Sequence, residues 1–201
     1  MAIITNIEQL DPQGSYTYAD YLTWQLGEMV ELIKGKVFRM SPAPTLKHQR
    51  VSVSLTLQIG NFLRKSPCQL FHAPADVVLY DGRKSKKEQK DIRSVVQPDL
   101  FVVCDKTKVE GTVCNGSPDW IIEILSPATK KKDLTLKFEL YEENAVREYW
   151  IVFPHEETLQ RFVLNETTLK YDFAGNYTEG KVPVGIFPEL EVDLDEIFND
   201  L

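Results

Sequence analysis

"SPDWIIEILSPATKKKDLTLKFELYEENAVREYWIVFP" (residues 117–154) reads as strand, helix, strand, and that reading decides the fold class. Two apolar runs, "DWIIEIL" and "EYWIVFP", flank a segment in which Leu134, Phe138 and Tyr141 fall on one helix face. Asp133 is placed to cap that helix, which runs from Leu134 to about Ala145, and Pro127 ends the strand before it. A connection of this length joins parallel neighbours, so the expected architecture is α/β (α+β): a mixed central β-sheet flanked by helices. Within the first run stands Glu123, an acid where the pattern demands burial.

Upstream, "VVQPDLFVVCD" (95–105) places Pro98–Asp99 at the mouth of another apolar run, read as a strand. "MVELI" and "VFRM" around the Gly35 turn predict a hairpin over 29–40 that Pro42 and Pro44 terminate. From Lys47 to Lys65, Val51, Leu55, Ile59 and Phe62/Leu63 recur every three to four residues and predict a helix with one buried face, and Thr17 caps a short helix before it. "ADVVLYD" (75–81), "LQRFVL" and "LKYDF" read as further strands, "KTKVEGTVCNGSP" as a loop, and "LEVDLDEIFNDL" as a closing segment of open type.

A chain of 201 residues with 43 % hydrophobic and 26 % charged residues fits one soluble domain over 1–201. Cys68, Cys104 and Cys114 form no CxxC pair, so neither a disulfide nor a zinc knuckle is expected, and a reducing cytoplasm is the simplest home. "MAIITNIEQLDPQG" lacks the pattern of a signal peptide, and no apolar stretch approaches the ~20 residues of a membrane helix. The net charge of −7 argues against a general nucleic-acid coat. Six acids and no base lie in 186–201, which leaves 1–185 at −1, while bases gather in "GRKSKKEQK" (82–90) and "KKK" (130–132).

Asp99 and Glu123 need an explanation, because an ionised carboxylate in a buried strand is costly without a partner. Each could be satisfied by an arginine or by backbone N–H groups; together, on neighbouring strands, they would make a hard-oxygen site suited to magnesium. Asp119 is the wrong partner for Glu123: four residues along one strand span about 13 Å at ~3.3 Å each.

In order, "VELIKGKVFRMSPAP", "PADVVLYD", "VVQPDLFVVCD" and the 117–154 block resemble the Uma-two family of endonucleases, a branch of the PD-(D/E)XK, restriction-endonuclease-like superfamily, over about Tyr16–Phe173. The resemblance implies a restriction-endonuclease-like core, Mg²⁺ (or Mn²⁺) held by Asp99, Glu123 and the carbonyl of Ile124, and hydrolysis of nucleic-acid phosphodiesters by water activated on the ion. The superfamily's lysine stands two residues after the glutamate, where this chain has Leu125; in this branch it resembles one moved onto the following helix, here Lys137. Lys137 would orient the water or stabilise the transition state; alternatively its stem packs on apolar surface and its ammonium reaches solvent. Glu31 matches a family acid that adds to the site, or is an exposed strand position. His48 matches a phosphate-contacting or proton-shuttling histidine, or is a polar helix end, and Asp76 also matches, or caps a strand. Nucleic acid, DNA foremost, is the implied partner, and a homodimer the implied assembly for duplex cutting. The competing reading is a catalytically silent nucleic-acid-binding or interaction module on the same fold.

Overall fold

The computed structural model describes residues 3–40, 44–80, 88–126 and 133–199. The basic run 130–132, most of the run at 82–90, Pro42 and Pro127 lie outside them.

Fourteen strands form among the described residues. One six-stranded sheet has the order β2-β1-β5-β4-β8-β7, from β1 (Val30–Ile33), β2 (Lys36–Arg39), β4 (Asp76–Leu79), β5 (Ser94–Val96), β7 (Val109–Glu110) and β8 (Val113–Asn115). The second has the order β12-β11-β10-β9-β6-β3, from β3 (Gln69–His72), β6 (Leu100–Val103), β9 (Trp120–Ile124), β10 (Glu148–Phe153), β11 (Thr158–Asn165) and β12 (Lys170–Tyr177). β13 (Lys181–Val184) and β14 (Phe187–Asp193) make a separate hairpin. The expected mixed sheet is thus present, because β9 and β10 pair in parallel while β6 and β11 flank them antiparallel.

The strand expected from Pro98 on is present as β6, and a second, unexpected strand, β5, precedes it. β5 belongs to the first sheet and β6 to the second, and Gln97–Pro98–Asp99 carries the chain between them. Pro98 has no N–H to give a ladder, so pairing stops there and the chain changes sheet. The loop expected at 106–118 contains the short β7–β8 hairpin, and the closing segment is β14 followed by a C-terminal helix, Leu194–Phe198. Lys34 (φ 51°) and Gly35 (φ 82°) form the β1–β2 turn with two positive φ angles, the geometry that matches strand twist in a two-residue hairpin.

Two apolar layers enclose the second sheet. On one side Leu100, Val102, Trp120, Ile122, Ile124 and Trp150 pack on α2 (Leu46–Leu63), which buries Val51, Leu55, Ile59 and Leu63, and on the β13–β14 hairpin. On the other side Phe101, Ile121, Tyr149 and Ile151 meet the first sheet and the crossover helix through Val77, Val96, Leu140 and Tyr141. Alternation along each strand divides its side chains between these layers. Glu148, fully buried on β10, accepts from Trp150 Nε1 (2.8 Å), Arg161 Nε (2.8 Å) and Ile186 N (2.9 Å), which ties the hairpin to the central sheet.

Cys68 and Cys104 are disulfide-bonded, contrary to the expectation of free thiols. Their spacing of 36 residues carries no signature; the antiparallel register Gln69↔Val103 brings them face to face on the next rung. The thiol argument for a reducing compartment falls with it. Cys114 is free and buried. Among the described residues no helix is long and apolar enough to cross a membrane.

Candidate active site

The β6–β9 ladder pairs Leu100 with Ile122 and Phe101 with Ile121, so the next rung sets Asp99 opposite Glu123. Directly opposed residues of an antiparallel pair point to one face. Asp99 Oδ2 accepts from the backbone N–H of Ile124 at 2.7 Å, so Ile124 meets Asp99 through its amide. Asp99 Oδ1 lies 3.2 Å from Nε2 of His48, in the first turn of α2, where Thr45 Oγ1 caps the His48 N–H. His48 is therefore no idle helix end.

Glu123 is 3 % exposed and Glu31 1 %. Glu31 is not the exposed strand position that alternation left open, because all four residues of β1 are buried. Lys137 joins the two acids: its Nζ is 2.8 Å from Glu123 Oε1 and 2.9 Å from Glu31 Oε1. At 4 % exposure it does not send its ammonium to solvent. The local backbone departs from the helix expected from Leu134 onward: Asp133–Lys137 form a π-helical turn, and α-helix follows only over Phe138–Glu143. A π turn holds an extra residue and re-aims the side chains after it, a device common at functional sites.

Two neighbours that the sequence did not single out complete the frame. Tyr141, one helical turn beyond Lys137, donates its hydroxyl to Glu123 Oε1 at 2.6 Å. Complete burial pushes the phenol well above its ordinary pKa, and the Glu123 charge adds to the shift, so Tyr141 stays a donor. Gln97 donates its backbone N–H to Glu31 Oε1 (3.0 Å) and its Nε2 to Asp76 Oδ1 (2.8 Å). Asp76 also accepts from Tyr21 at 3.2 Å; it anchors this outer frame and does not merely cap β4. The Gln97 Oε1 is buried without a hydrogen-bond partner among the described residues. Only the position of Gln97, two before Asp99, could have flagged it. Asp119 accepts from Cys104 N at 2.8 Å and faces Arg147, at the opposite end of β9 from Glu123.

The five expected site residues with side-chain roles, Asp99, Glu123, Lys137, Glu31 and His48, therefore meet at one place. In ionised form, with His48 neutral, they carry three negative charges and one positive, a balance that suits a divalent cation. Among the described residues no three His, Cys, Asp or Glu side chains form a ready metal cage. The donors are nonetheless hard carboxylate oxygens, and Mg²⁺ commonly takes one or two carboxylates and keeps much of its water. The donor set fits such an ion.

The family model described as "Uma2: Putative restriction endonuclease" matches residues 18–195. The chain belongs to this family. The Uma2 chain is 24 % identical over 135 residues to "Uncharacterized protein slr1290" of Synechocystis sp. (strain ATCC 27184 / PCC 6803 / Kazusa). That match covers 66 % of the chain but only 65 % of the relative's own length. A crystal structure described as a putative nuclease belonging to DUF820, from Anabaena variabilis ATCC 29413, superposes with a TM-score of 0.70 at 20 % identity, over 91 % of this chain and 97 % of that one. The likeness establishes the restriction-endonuclease-like fold for this Uma2 chain.

Proposed function

We propose that this Uma2 chain is a metal-dependent nuclease that hydrolyses nucleic-acid phosphodiester bonds, with Asp99 and Glu123 as the ligands of Mg²⁺ or Mn²⁺. The observation that carries the reading is Lys137, buried and within 2.9 Å of Glu31 and 2.8 Å of Glu123, on the rung facing Asp99. A lysine is seldom buried so completely without a paired charge, and here two carboxylates hold it beside Asp99.

The roles follow from the contacts. Asp99, held by the Ile124 N–H, turns its other oxygen toward the N-terminal end of α2, and the Ile124 carbonyl would be a further oxygen for the ion. A bound divalent cation would supply neutralisation of phosphate charge and a lowered pKa for water. Lys137 keeps its proton between two carboxylates and presents positive charge to the attacking water and the forming transition state. Glu31 holds Lys137 from the far side. His48 stands at the entrance, within reach of a phosphate oxygen and able to pass a proton. Cutting both strands of a duplex would take two such sites, so the reading includes a homodimer.

In Mg²⁺, purified Asp99→Ala, Glu123→Ala and Lys137→Ala proteins should each lose cleavage of a DNA or RNA substrate while keeping the far-ultraviolet spectrum of the parent. Full cleavage by Glu123→Ala would overturn the proposal and leave the silent binding module as the better account.

A further inference from the structure

A cleft of about 860 Å³ lies away from the catalytic cluster, with Asp119, at the far end of β9 from Glu123, on its wall. It opens between the short helix Tyr18–Tyr21, the β7–β8 hairpin and the turn after the crossover helix, and its size is within the ~300–1,000 Å³ of small-molecule sites. Its floor is apolar: Tyr18, Tyr80, Ile92 and Val113 belong to one packed cluster. Tyr18 is 6 % exposed and lines the cleft, and its hydroxyl has no hydrogen-bond partner among the described residues. Burial pushes that phenol above its ordinary pKa, and the charges of Asp76 and Glu110 add to the shift, so it stays a donor. A polar group on so buried a residue calls for an acceptor from the cleft side. The rim is rich in acceptors. Asp105 takes both Thr107 bonds on Oδ1 (3.0 and 2.6 Å) and Glu110 takes Asn115 Nδ2 on Oε2 (3.2 Å), so each carboxylate keeps one oxygen unbonded among the described residues. The two cations on the wall already hold acceptors: Arg147 faces Asp119 at 3.4 Å, and Lys108 Nζ donates to the Ser117 carbonyl at 2.8 Å. Asp105, Glu110 and Asp119 stand against Lys108 and Arg147, so the lining is negative by one charge.

We propose that this cleft binds an uncharged ribonucleoside, its base on the floor of Tyr18, Ile92 and Val113 and its ribose hydroxyls donating to Asp105 and Glu110. The lining selects that class in three ways. An apolar floor with aromatic rings takes the face of a planar base, whichever base it is. Carboxylates with a spare oxygen are the usual partners of ribose hydroxyls, and the Tyr18 hydroxyl donates in return to a ring nitrogen or carbonyl. Gln89, exposed at the mouth, adds an amide that both donates and accepts, as a base edge requires. The negative balance turns away a phosphate, so a nucleotide or the phosphorylated end of a nucleic acid fits worse than the free nucleoside. Binding here needs neither a metal nor the catalytic cluster, and therefore goes beyond the nuclease reading without resting on it.

The test is isothermal titration of the full chain in EDTA with adenosine, guanosine, cytidine and uridine in turn, and with ribose and the matching 5′-monophosphates alongside. At least one nucleoside should bind saturably, one per chain, and its 2′-deoxy form more weakly. Glu110→Gln, at an exposed position, should weaken that binding about tenfold or more, as for a lost hydrogen bond to a charged group. Tyr18→Phe, which keeps the ring, should weaken it about fivefold, as for a neutral one. Glu123→Ala should bind the nucleoside as the parent does even where it has lost cleavage, which separates the two readings. No saturable binding of any of the four at millimolar concentration would overturn the proposal. So would ribose or a monophosphate that binds as tightly as the nucleoside, full affinity in both Glu110→Gln and Tyr18→Phe, or loss of binding in Glu123→Ala, which would place the ligand in the catalytic cluster.

Discussion

Tyr141 and Gln97 decide how firmly Lys137 is held, since Tyr141 donates to the Glu123 oxygen and Gln97 to the Glu31 oxygen that the ammonium approaches. With its acceptors fixed by second donors, Lys137 has one place to stand. Tyr141→Phe keeps the buried ring and removes only the donor at 2.6 Å from Glu123. The expected result is a fall in kcat of about 10–100-fold with KM for nucleic acid little changed, as for loss of an outer partner of a ligand. A stability loss of about 1–3 kcal/mol should accompany it, because the Glu123 oxygen loses a buried bond. Steady-state kinetics and urea unfolding of the variant check both. At this scale the sequence was most legible. Asp99 and Glu123 stood out as acids inside apolar runs, and Lys137 through the family resemblance. Tyr141 and Gln97 did not, because a buried tyrosine at core spacing and a glutamine before proline look like ordinary packing and an ordinary turn.

The crossover element carries Lys137 and Tyr141, and its far end is tied to the second sheet by Glu142. That carboxylate accepts from Lys170 Nζ at 2.7 Å and from the Tyr171 N–H at 2.8 Å. Burial pushes the Glu142 pKa up, but the bonds from Lys170 and Tyr171 outweigh it and hold the carboxyl below its ordinary range. A depressed carboxyl stabilises the fold at pH above its unfolded value, and that contribution is lost as pH falls through the lowered folded value. Glu142→Gln should therefore be less stable than the parent at neutral pH, by about 1–2 kcal/mol, with the difference shrinking on the acid side. Urea midpoints measured from neutral pH to pH 3 would show it; a constant difference across that range would contradict the assignment. Element existence was readable from periodicity in 117–154 and 47–65. Three features were not: the π turn at Asp133–Lys137, the three-residue β5, and the jump at Gln97–Asp99 between sheets. A run of three residues has no measurable period, and a sheet change is set by partners distant in sequence.

Across the whole molecule, the site exists because two sheets and two helices converge on one strand end. β9 supplies Glu123, β1 Glu31, the β5–β6 connection Asp99, α2 His48, and the crossover helix Lys137. Nothing local predicts that convergence, and the Cys68–Cys104 bond was invisible for the same reason. The parallel β9–β10 pair was foreseeable from the length of the crossover and the β1–β2 hairpin from its turn; the pairing of β1 with β5 and of β6 with β3 was not. On the proposed function, the charge left over in this cluster is balanced by a divalent cation. The most direct measurement is diffraction from crystals soaked in MnCl₂, with data collected near the manganese absorption edge. The account predicts an anomalous peak about 2.0–2.3 Å from oxygens of both Asp99 and Glu123, with Lys137 still against Glu31. A saturating soak with no peak there, or with manganese bound elsewhere and the Lys137–Glu123 contact undisturbed, would contradict it.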